Sequence, residues 1–419
     1  MITTQSSCND LDEPGLIPLN DALTRILAAA PQVGGYERIA IEKARSRTLA
    51  ETVTASFNVP GHTNAAVDGY ALHGSDLPAA GVRVFEIAGK AYAGQPFQGV
   101  VKPGQCLRIM TGTLMPEELD TVIMQEHVEV QGNAIVIDNR HKAGQNVRNR
   151  GEDIKQGQTI LHPGRGLTPP DIGLLASLGI PEINVARKLR VAIASTGDEI
   201  FSLGQTPTPG GLYDSNRYSL MAALDRPDID IINLGIVEDR PAALLHIFEQ
   251  AGRFADVIIS TGGVSVGEAD YTKTALQTSG QIAFWKVAIK PGRPLAFGQM
   301  GNAVFFGLPG NPVSVLVSFY LLVLPALEKM LGITNKPIAP MFQARTLEAL
   351  HKKPGRTEVQ RGIIAQDQSG EWTVRSTGKQ GSGILSSMSQ ANAFIILEHH
   401  RESVRPWEWV GVQPFAGLF

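Results

Sequence analysis

Cysteine is almost missing from this chain: there are two in 419 residues, Cys8 and Cys106, and no CxxC pair. That excludes a thiolate metal site and a disulfide framework, and it fits a reducing compartment. No long hydrophobic run is present either. The longest, residues 313–327, is too short to span a bilayer and carries Pro325. The polar, acidic start MITTQSSCNDLDEPG has no charged head followed by an apolar core, so no secretory signal is visible. A soluble, cytoplasmic protein is expected. Excess positive charge is also lacking: the formal net charge is −3, which argues against a general nucleic-acid binder. Any anion must therefore meet a local cluster of cations. The phosphate-loop lysine of GxxxxGK[ST], the GxGxxG fingerprint and HExxH are all absent. His399 and His400, adjacent on a predicted strand, should point opposite ways and share no metal.

What is present concentrates between residues 255 and 312. Residues 255–260, ADVIIS, form a β-branched run halted by Gly262 and Gly263, the pattern of a buried strand emptying into a glycine loop. Such a loop exposes backbone N–H groups at the carboxyl end of a strand, where α/β folds place ligands. Lys286, Lys290 and Arg293 follow, interleaved with Pro291, Gly292 and Pro294. A lysine is a hydrated point charge and an arginine a planar fork; both suit an oxyanion. Asn311 and Pro312 then read as N-cap and first residue of a helix over 313–324, whose positive end would face the same ligand. Each device alone has an ordinary reading as a turn or hairpin, and Asp270 could merely cap a helix over 272–276. Their combination, with Glu268 and Asp270 among the cations, predicts an anion site.

With 419 residues the chain has room for roughly two to four domains. Helices are predicted over 20–30, capped by Asn20 or Asp21, and over 39–49, followed by an extended segment at 51–59. Residues 61–138 break into short strands at 82–87, 106–110, 121–125 and 134–137, a compact β-rich module. Asp68 and Thr111 stand inside it, though a lone Asp-Gly is ordinarily a turn. Arg148, Arg150, Glu152 and Asp153 surround Gly151 in what reads as a solvated connector. A short helix at 167–178 follows. From 189 to 331 strands at 190–196, 229–234 and 256–260 alternate with helices at 216–224 and 241–251, which implies a parallel sheet covered on both faces. Its strand ends carry Asp198, Glu199, Glu238, Asp239 and Asp270, a set that could hold Mg²⁺ against a phosphate. Helix capping is the ordinary alternative, most readily for Asp239 ahead of Pro241. Residues 340–419 read as a small β domain with strands at 358–364, 372–376 and 393–397.

The expected fold class is therefore multidomain α/β plus β. Its parts are a discontinuous helical and extended domain (1–60 and 146–187), a β-rich inserted domain (61–145), an α/β domain (188–337) and a C-terminal β domain (338–419).

A series of motifs runs through these parts in order: VDGYA at 67–71, RIMTG at 108–112, RGEDI at 150–154, STGDEI at 195–200, YDSN at 213–216, GGVSVGEADY at 262–271, FWKVAIKPGRP at 284–294 and GLPGNPVS at 307–314. Together they resemble the molybdopterin molybdenumtransferases, bacterial enzymes related to the E domain of gephyrin. The resemblance implies an elongated four-domain homodimer with a three-layer, molybdopterin-binding α/β domain and a C-terminal β-barrel-like domain. It implies Mg²⁺-dependent insertion of molybdenum from molybdate into adenylated molybdopterin, releasing AMP, at a site where Asp68 and Thr111 face the partner's loop. The implied catalytic residues are Asp68, Thr111, Asp153, Glu199, Asp239 and Asp270, with Glu199, Asp239 and Asp270 as metal ligands. The implied substrate contacts are Gly262, Gly263 and Ser265 for the nucleotide phosphates and Lys286, Lys290, Arg293 and Ser314 for molybdate or phosphate, alongside Pro309, Asn311 and Pro312. An upstream adenylyltransferase and acceptor molybdoenzymes are the implied protein partners, with no nucleic acid and no membrane. The alternatives are a molybdopterin adenylyltransferase and a non-catalytic gephyrin-like scaffold. The sequence departs from the family pattern at Ala65-Ala66-Val67, where Ser-Ala-Met is usual, and at Arg293, where lysine is usual.

Overall fold

The structure, a computed structural model, describes residues 16–262, 281–335 and 341–415. They form two compact units: one takes the chain up to residue 50, residues 164–168 and everything from 184 onward, and the other takes residues 51–163 and 169–183.

The first unit is organised on a seven-stranded sheet, in the order Leu16–Ile17, Gln281–Val287, Pro294–Met300, Ala303–Leu308, Val257–Thr261, Leu189–Thr196, Ile229–Val237. The last four of these are mutually parallel, and Pro294–Met300 runs antiparallel to both of its neighbours. Residues 191–194 of Leu189–Thr196 are consecutively apolar and buried because both faces are covered. Val191 and Ile193 pack with Leu220, Val313 and Val317 from the helices Ser215–Ala223 and Pro312–Ser318. Ala192 and Ala194 pack on the other face with Leu244, Phe248 and Ala251 of the helix Pro241–Phe254. The chain moves from Leu189–Thr196 to Ile229–Val237 on one side and then crosses back to Val257–Thr261 on the other. That reversal makes a switch point, with a crevice at the carboxyl ends of the two strands that flank it.

The helix after Ala303–Leu308 is α-helical over Pro312–Ser318, widens to a π-turn over Phe319–Val323 and resumes over Leu324–Met330. Pro325 accounts for the widening, since it has no N–H for the preceding turn and its ring crowds the carbonyl there. The helix continues past the predicted apolar run: Pro312–Met330 is long and apolar enough to cross a membrane, yet 78% of its most apolar stretch is buried in this core. Beyond it, five strands, Phe342–Thr346, Thr357–Gln366, Trp372–Ser376, Ala393–Leu397 and Trp409–Pro414, close into a barrel through the pairing of Thr357–Gln366 with Ala393–Leu397. The short strand Ile289–Lys290 lies parallel to Thr357–Gln366.

The second unit carries a six-stranded sheet ordered Thr121–Met124, Gly69–Leu72, Gln105–Ile109, Val82–Ala91, Ala134–Asp138, Glu129–Gln131. Leu107 and Val122 fill one apolar cluster and Leu72, Phe85 and Ile123 another.

Three local expectations are corrected. The helix predicted over 39–49 is a strand, Tyr36–Ala40, and one 3-10 turn, Ile41–Lys43. The N–H groups that would have continued a helix go elsewhere, Ser46 to Leu167 and Leu49 to Arg165, and Ser46 takes φ 61. The first helix, Leu19–Ala29, starts behind Pro18 with no side-chain cap, not at Asn20 or Asp21. His399 and His400 lie in a turn just past Ala393–Leu397, their ring centroids 6.0 Å apart, so strand alternation does not apply to them.

Candidate active site

Five connections leave the carboxyl edge of the seven-stranded sheet. Those after Leu189–Thr196, Ile229–Val237, Val257–Thr261 and Ala303–Leu308 follow directly from parallel strands. The segment 287–294 joins them because Gln281–Val287 is antiparallel to Pro294–Met300, which is antiparallel to Ala303–Leu308. At the switch point Gly262 takes φ 86, and a Cβ there would stand 2.1 Å from the Thr196 carbonyl oxygen. Only glycine lets the two strand ends close to this distance.

A buried polar chain fixes those ends from below. The Ser195 hydroxyl donates to Asp214 Oδ1 at 2.9 Å and lies 3.3 Å from the Thr261 hydroxyl. Asp214 caps the helix Ser215–Ala223 by accepting from the Arg217 backbone N–H, and its other oxygen accepts from Arg217 Nε at 2.7 Å. Arg217 Nη1 donates to Asn233 Oδ1 at 2.8 Å, beside the register shift in Ile229–Val237.

Above this chain the acidic residues gather. The Asp239 backbone N–H donates to Asp198 Oδ1 at 3.3 Å. Asp239 does not cap the next helix, whose N-cap is Arg240. Its own Oδ1 is buried without a hydrogen-bond partner. Burial, and then the charges of Asp198 and Glu199, push the Asp239 carboxyl above its usual range. The Glu199 carboxylate lies over Gly197, within 2.8 Å of where a Cβ would stand. Among the described residues no three His, Cys, Asp or Glu side chains have converged as a complete metal cage.

The cations are disposed less uniformly. Lys286 is the next-to-last residue of Gln281–Val287, opposite Pro294, and Arg293 stands in the connection, where its carbonyl accepts from the Val287 N–H at 2.8 Å. Gly292, at φ 103, lets that turn lie against the helix Pro312–Ser318, since a Cβ there would stand 2.7 Å from Ser318 Oγ and 3.4 Å from the Ser314 carbonyl oxygen. Lys290 is engaged by Glu358, with Nζ 3.2 Å from Oε2. Asn311 is the N-cap, without a side-chain cap bond, and Pro312 opens the helix. At the helix start expected to face the anion, the Val313 N–H already donates to the Ser382 carbonyl at 3.0 Å. Pro309 and Ser314 are buried. Gly263, Ser265 and Asp270 lie outside the described residues.

Reasoning from the sequence missed several groups. Asn216 donates from Nδ2 to the Gly310 carbonyl at 2.7 Å, tying YDSN to GLPGNPVS. Arg361 is fully buried; it donates from Nε to Ser387 Oγ and from Nη2 to the Gly381 carbonyl, holding the loop that carries Ser382. An Asp three residues before an Arg at a helix start is a capping signal that could have found Asp214 and Arg217; nothing local to Arg361 announces its burial.

In the second unit the two motifs around Asp68 and Thr111 come together. Gly69–Leu72 pairs with Gln105–Ile109, and Asp68 Oδ1 accepts from both the backbone N–H and the hydroxyl of Thr111. Gly69 is required there, since a Cβ would lie 2.0 Å from the Ile123 carbonyl oxygen. Asp153 is exposed, and its backbone N–H donates to Val59.

Three family regions match in chain order: the MoeA N-terminal region (domain I and II) over residues 17–179, a probable molybdopterin binding domain over 192–329, and the MoeA C-terminal region (domain IV) over 343–415. The molybdopterin molybdenumtransferase of Haemophilus influenzae is 41% identical over 404 residues, which cover 96% of this chain and 100% of that one. Gephyrin of Dictyostelium discoideum is 30% identical over 91% of this chain and 60% of its own length. Among solved structures, the molybdopterin biosynthesis moeA protein of Pyrococcus horikoshii superposes with a TM-score of 0.82 at 28% identity, over 95% of this chain and 100% of that one. On its sequence from end to end and on its fold, the chain belongs to the molybdopterin molybdenumtransferase family.

Proposed function

We propose that this protein is a transferase that inserts molybdenum from molybdate into adenylated molybdopterin, yielding molybdenum cofactor and AMP. The observation that carries the reading is the 41% identity, across 96% of the chain, to an enzyme named for that activity. An adenylyltransferase reading would use only the part matched over 192–329 and leave the regions matched over 17–179 and 343–415 without work.

The residues at the sheet edge suit the chemistry. A diphosphate ester and an oxyanion both need compensating positive charge, and charge developing on the bridging oxygen at cleavage must be neutralised. Lys286 and Arg293, at the edge, are assigned to those oxygens, and Lys290 to molybdate. Backbone N–H groups at Gly262 and beyond are assigned to the nucleotide phosphates.

Asp239 is the residue that suits a divalent ion: one of its carboxylate oxygens is buried without a partner, and the charges of Asp198 and Glu199 act on it uncompensated. Mg²⁺ takes only one or two carboxylates and completes its shell with phosphate oxygens and water. Glu199 and Asp239 would hold it, with Asp270 completing the set. When bound it would supply charge neutralisation at the diphosphate. We further infer a cytoplasmic homodimer that receives substrate from an adenylyltransferase and passes product to acceptor enzymes.

The test is to combine purified protein, adenylated molybdopterin, Mg²⁺ and molybdate and to follow AMP. Release that depends on molybdate supports the reading; release that ignores molybdate, or none at all, overturns it.

A further inference from the structure

We propose that Glu358 is a built-in rival of the oxyanion substrate: its carboxylate occupies Lys290 and sets how much molybdate is needed to claim that lysine. This rests on the assignment of Lys290 to molybdate made above. The two residues are register partners, Ile289–Lys290 running parallel to Thr357–Gln366 with Lys290 opposite Glu358. Nζ lies 3.2 Å from Oε2, and the two side chains are 55% and 8% exposed respectively.

That asymmetry decides which partner moves. Lys290 can swing away with over half of its side chain already in water, so leaving the pair strands no buried cation, and a pair whose cation is half-solvated is weaker than a fully buried one. Glu358 stays behind in place, keeping the bond to its other oxygen and its neighbouring cations. Its Oε1 accepts from Gln360 Nε2 at 2.9 Å, and its charge acts on the nearby Lys352 and Arg361. Lys352 is itself anchored, its ammonium donating to the carbonyls of Lys353, His399 and Arg401. The carboxylate is therefore fixed and the ammonium exchangeable, the arrangement of a lysine that trades one anion for another.

Removing the rival should tighten molybdate binding, the opposite of what removing a structural ion pair would do. For Glu358→Gln, the molybdate concentration giving half-maximal AMP release should fall about two- to fivefold, the factor corresponding to a weak pair. Glu358→Asp draws the carboxylate back by one methylene while keeping its charge beside Lys352 and Arg361, and should give the same fall with less disturbance of the fold than removing the charge. Titration calorimetry of molybdate into the full-length protein without nucleotide should show the same ranking. In a Lys290→Ala background, Glu358→Gln should have no effect. A rise or no change in molybdate demand in both Glu358 variants, with Lys290→Ala still raising it, overturns the rivalry alone. Unchanged demand in Lys290→Ala removes the underlying assignment and the inference with it.

Discussion

One carboxylate oxygen of Asp68 accepts two hydrogen bonds from Thr111, from its backbone N–H and from its hydroxyl, both at 2.8 Å. The backbone bond first, then the hydroxyl bond and the Arg108 charge, hold the Asp68 carboxyl below its usual range. Thr111→Val removes only the hydroxyl contribution. The titration midpoint of Asp68, followed by NMR of its side-chain carboxyl, should rise and still remain below the ordinary carboxylate value. A depressed carboxyl pKa stabilises the fold above the unfolded pKa, and that stability is lost as pH falls through the folded value. Acid unfolding of the variant should accordingly begin at a higher pH. Asp68→Ala removes both bonds and that stabilisation together, so it should lower the melting temperature modestly at neutral pH and reduce AMP release by more than the lost stability explains.

Asp239 presents the opposite sign. Burial and its acidic neighbours raise its pKa, so the native state binds this proton more tightly than the unfolded chain, and stability falls as pH rises from the unfolded pKa through the folded one. Asp239→Asn removes the repelled charge. The variant should melt at a higher temperature than the parent at neutral pH without divalent ions. Added Mg²⁺ should raise the melting temperature of the parent and not that of the variant, while AMP release by the variant should fall by at least tenfold. Equal Mg²⁺ responses in the two proteins would remove Asp239 from the ion site.

Much of this arrangement was legible in the sequence, because its strongest signals are local. Unbroken β-branched runs such as that before Gly262 mark strands covered on both faces, and Asn311-Pro312 marks a helix start on chain geometry alone. The family resemblance named Asp68 and Thr111 but not their bonds to each other, which depend on two strands meeting from distant parts of the chain. What could not be read is where partners come from. Residues 39–49 alternate well enough for a helix, but tertiary carbonyls at Arg165 and Leu167 take their N–H groups. Lys290 reads as a free cation until the barrel strand places Glu358 opposite it. The helix start at Val313 likewise reads as an anion site until Ser382 occupies its donor.

At Gly262 the close contact is between backbone atoms. A Cβ would meet the Thr196 carbonyl oxygen at 2.1 Å in a left-handed conformation, so Gly262→Ala must push apart the two strand ends that flank the switch point. The expected loss is about 1–3 kcal/mol or more in urea unfolding. AMP release should drop further than stability alone explains, because the displaced segment leads into the glycine loop. Gly81→Ala is a suitable control, with a positive φ of 71 and open space around its Cβ; it should lose stability from backbone strain and retain its turnover.

The buried pair of Asp214 and Arg217 makes the sharpest stability prediction. Both side chains are nearly inaccessible, 1% and 6% exposed, and Asp214 also receives the Ser195 hydroxyl. Asp214→Asn keeps an acceptor for Ser195 but leaves the guanidinium charge uncompensated, which should cost about 3–5 kcal/mol. Ser195→Ala removes one hydrogen bond and should cost only about 1 kcal/mol. The double change Asp214→Asn with Arg217→Met eliminates both charges and should recover a large part of the loss, because the penalty comes from the stranded charge and not from the missing contact. Recovered stability should not bring recovered turnover, since the double change also removes the Arg217 bond to Asn233 beside the strand irregularity. Denaturant unfolding of the three variants decides the first point. If Asp214→Asn proves as mild as Ser195→Ala, the pair is not the electrostatic anchor of the switch point.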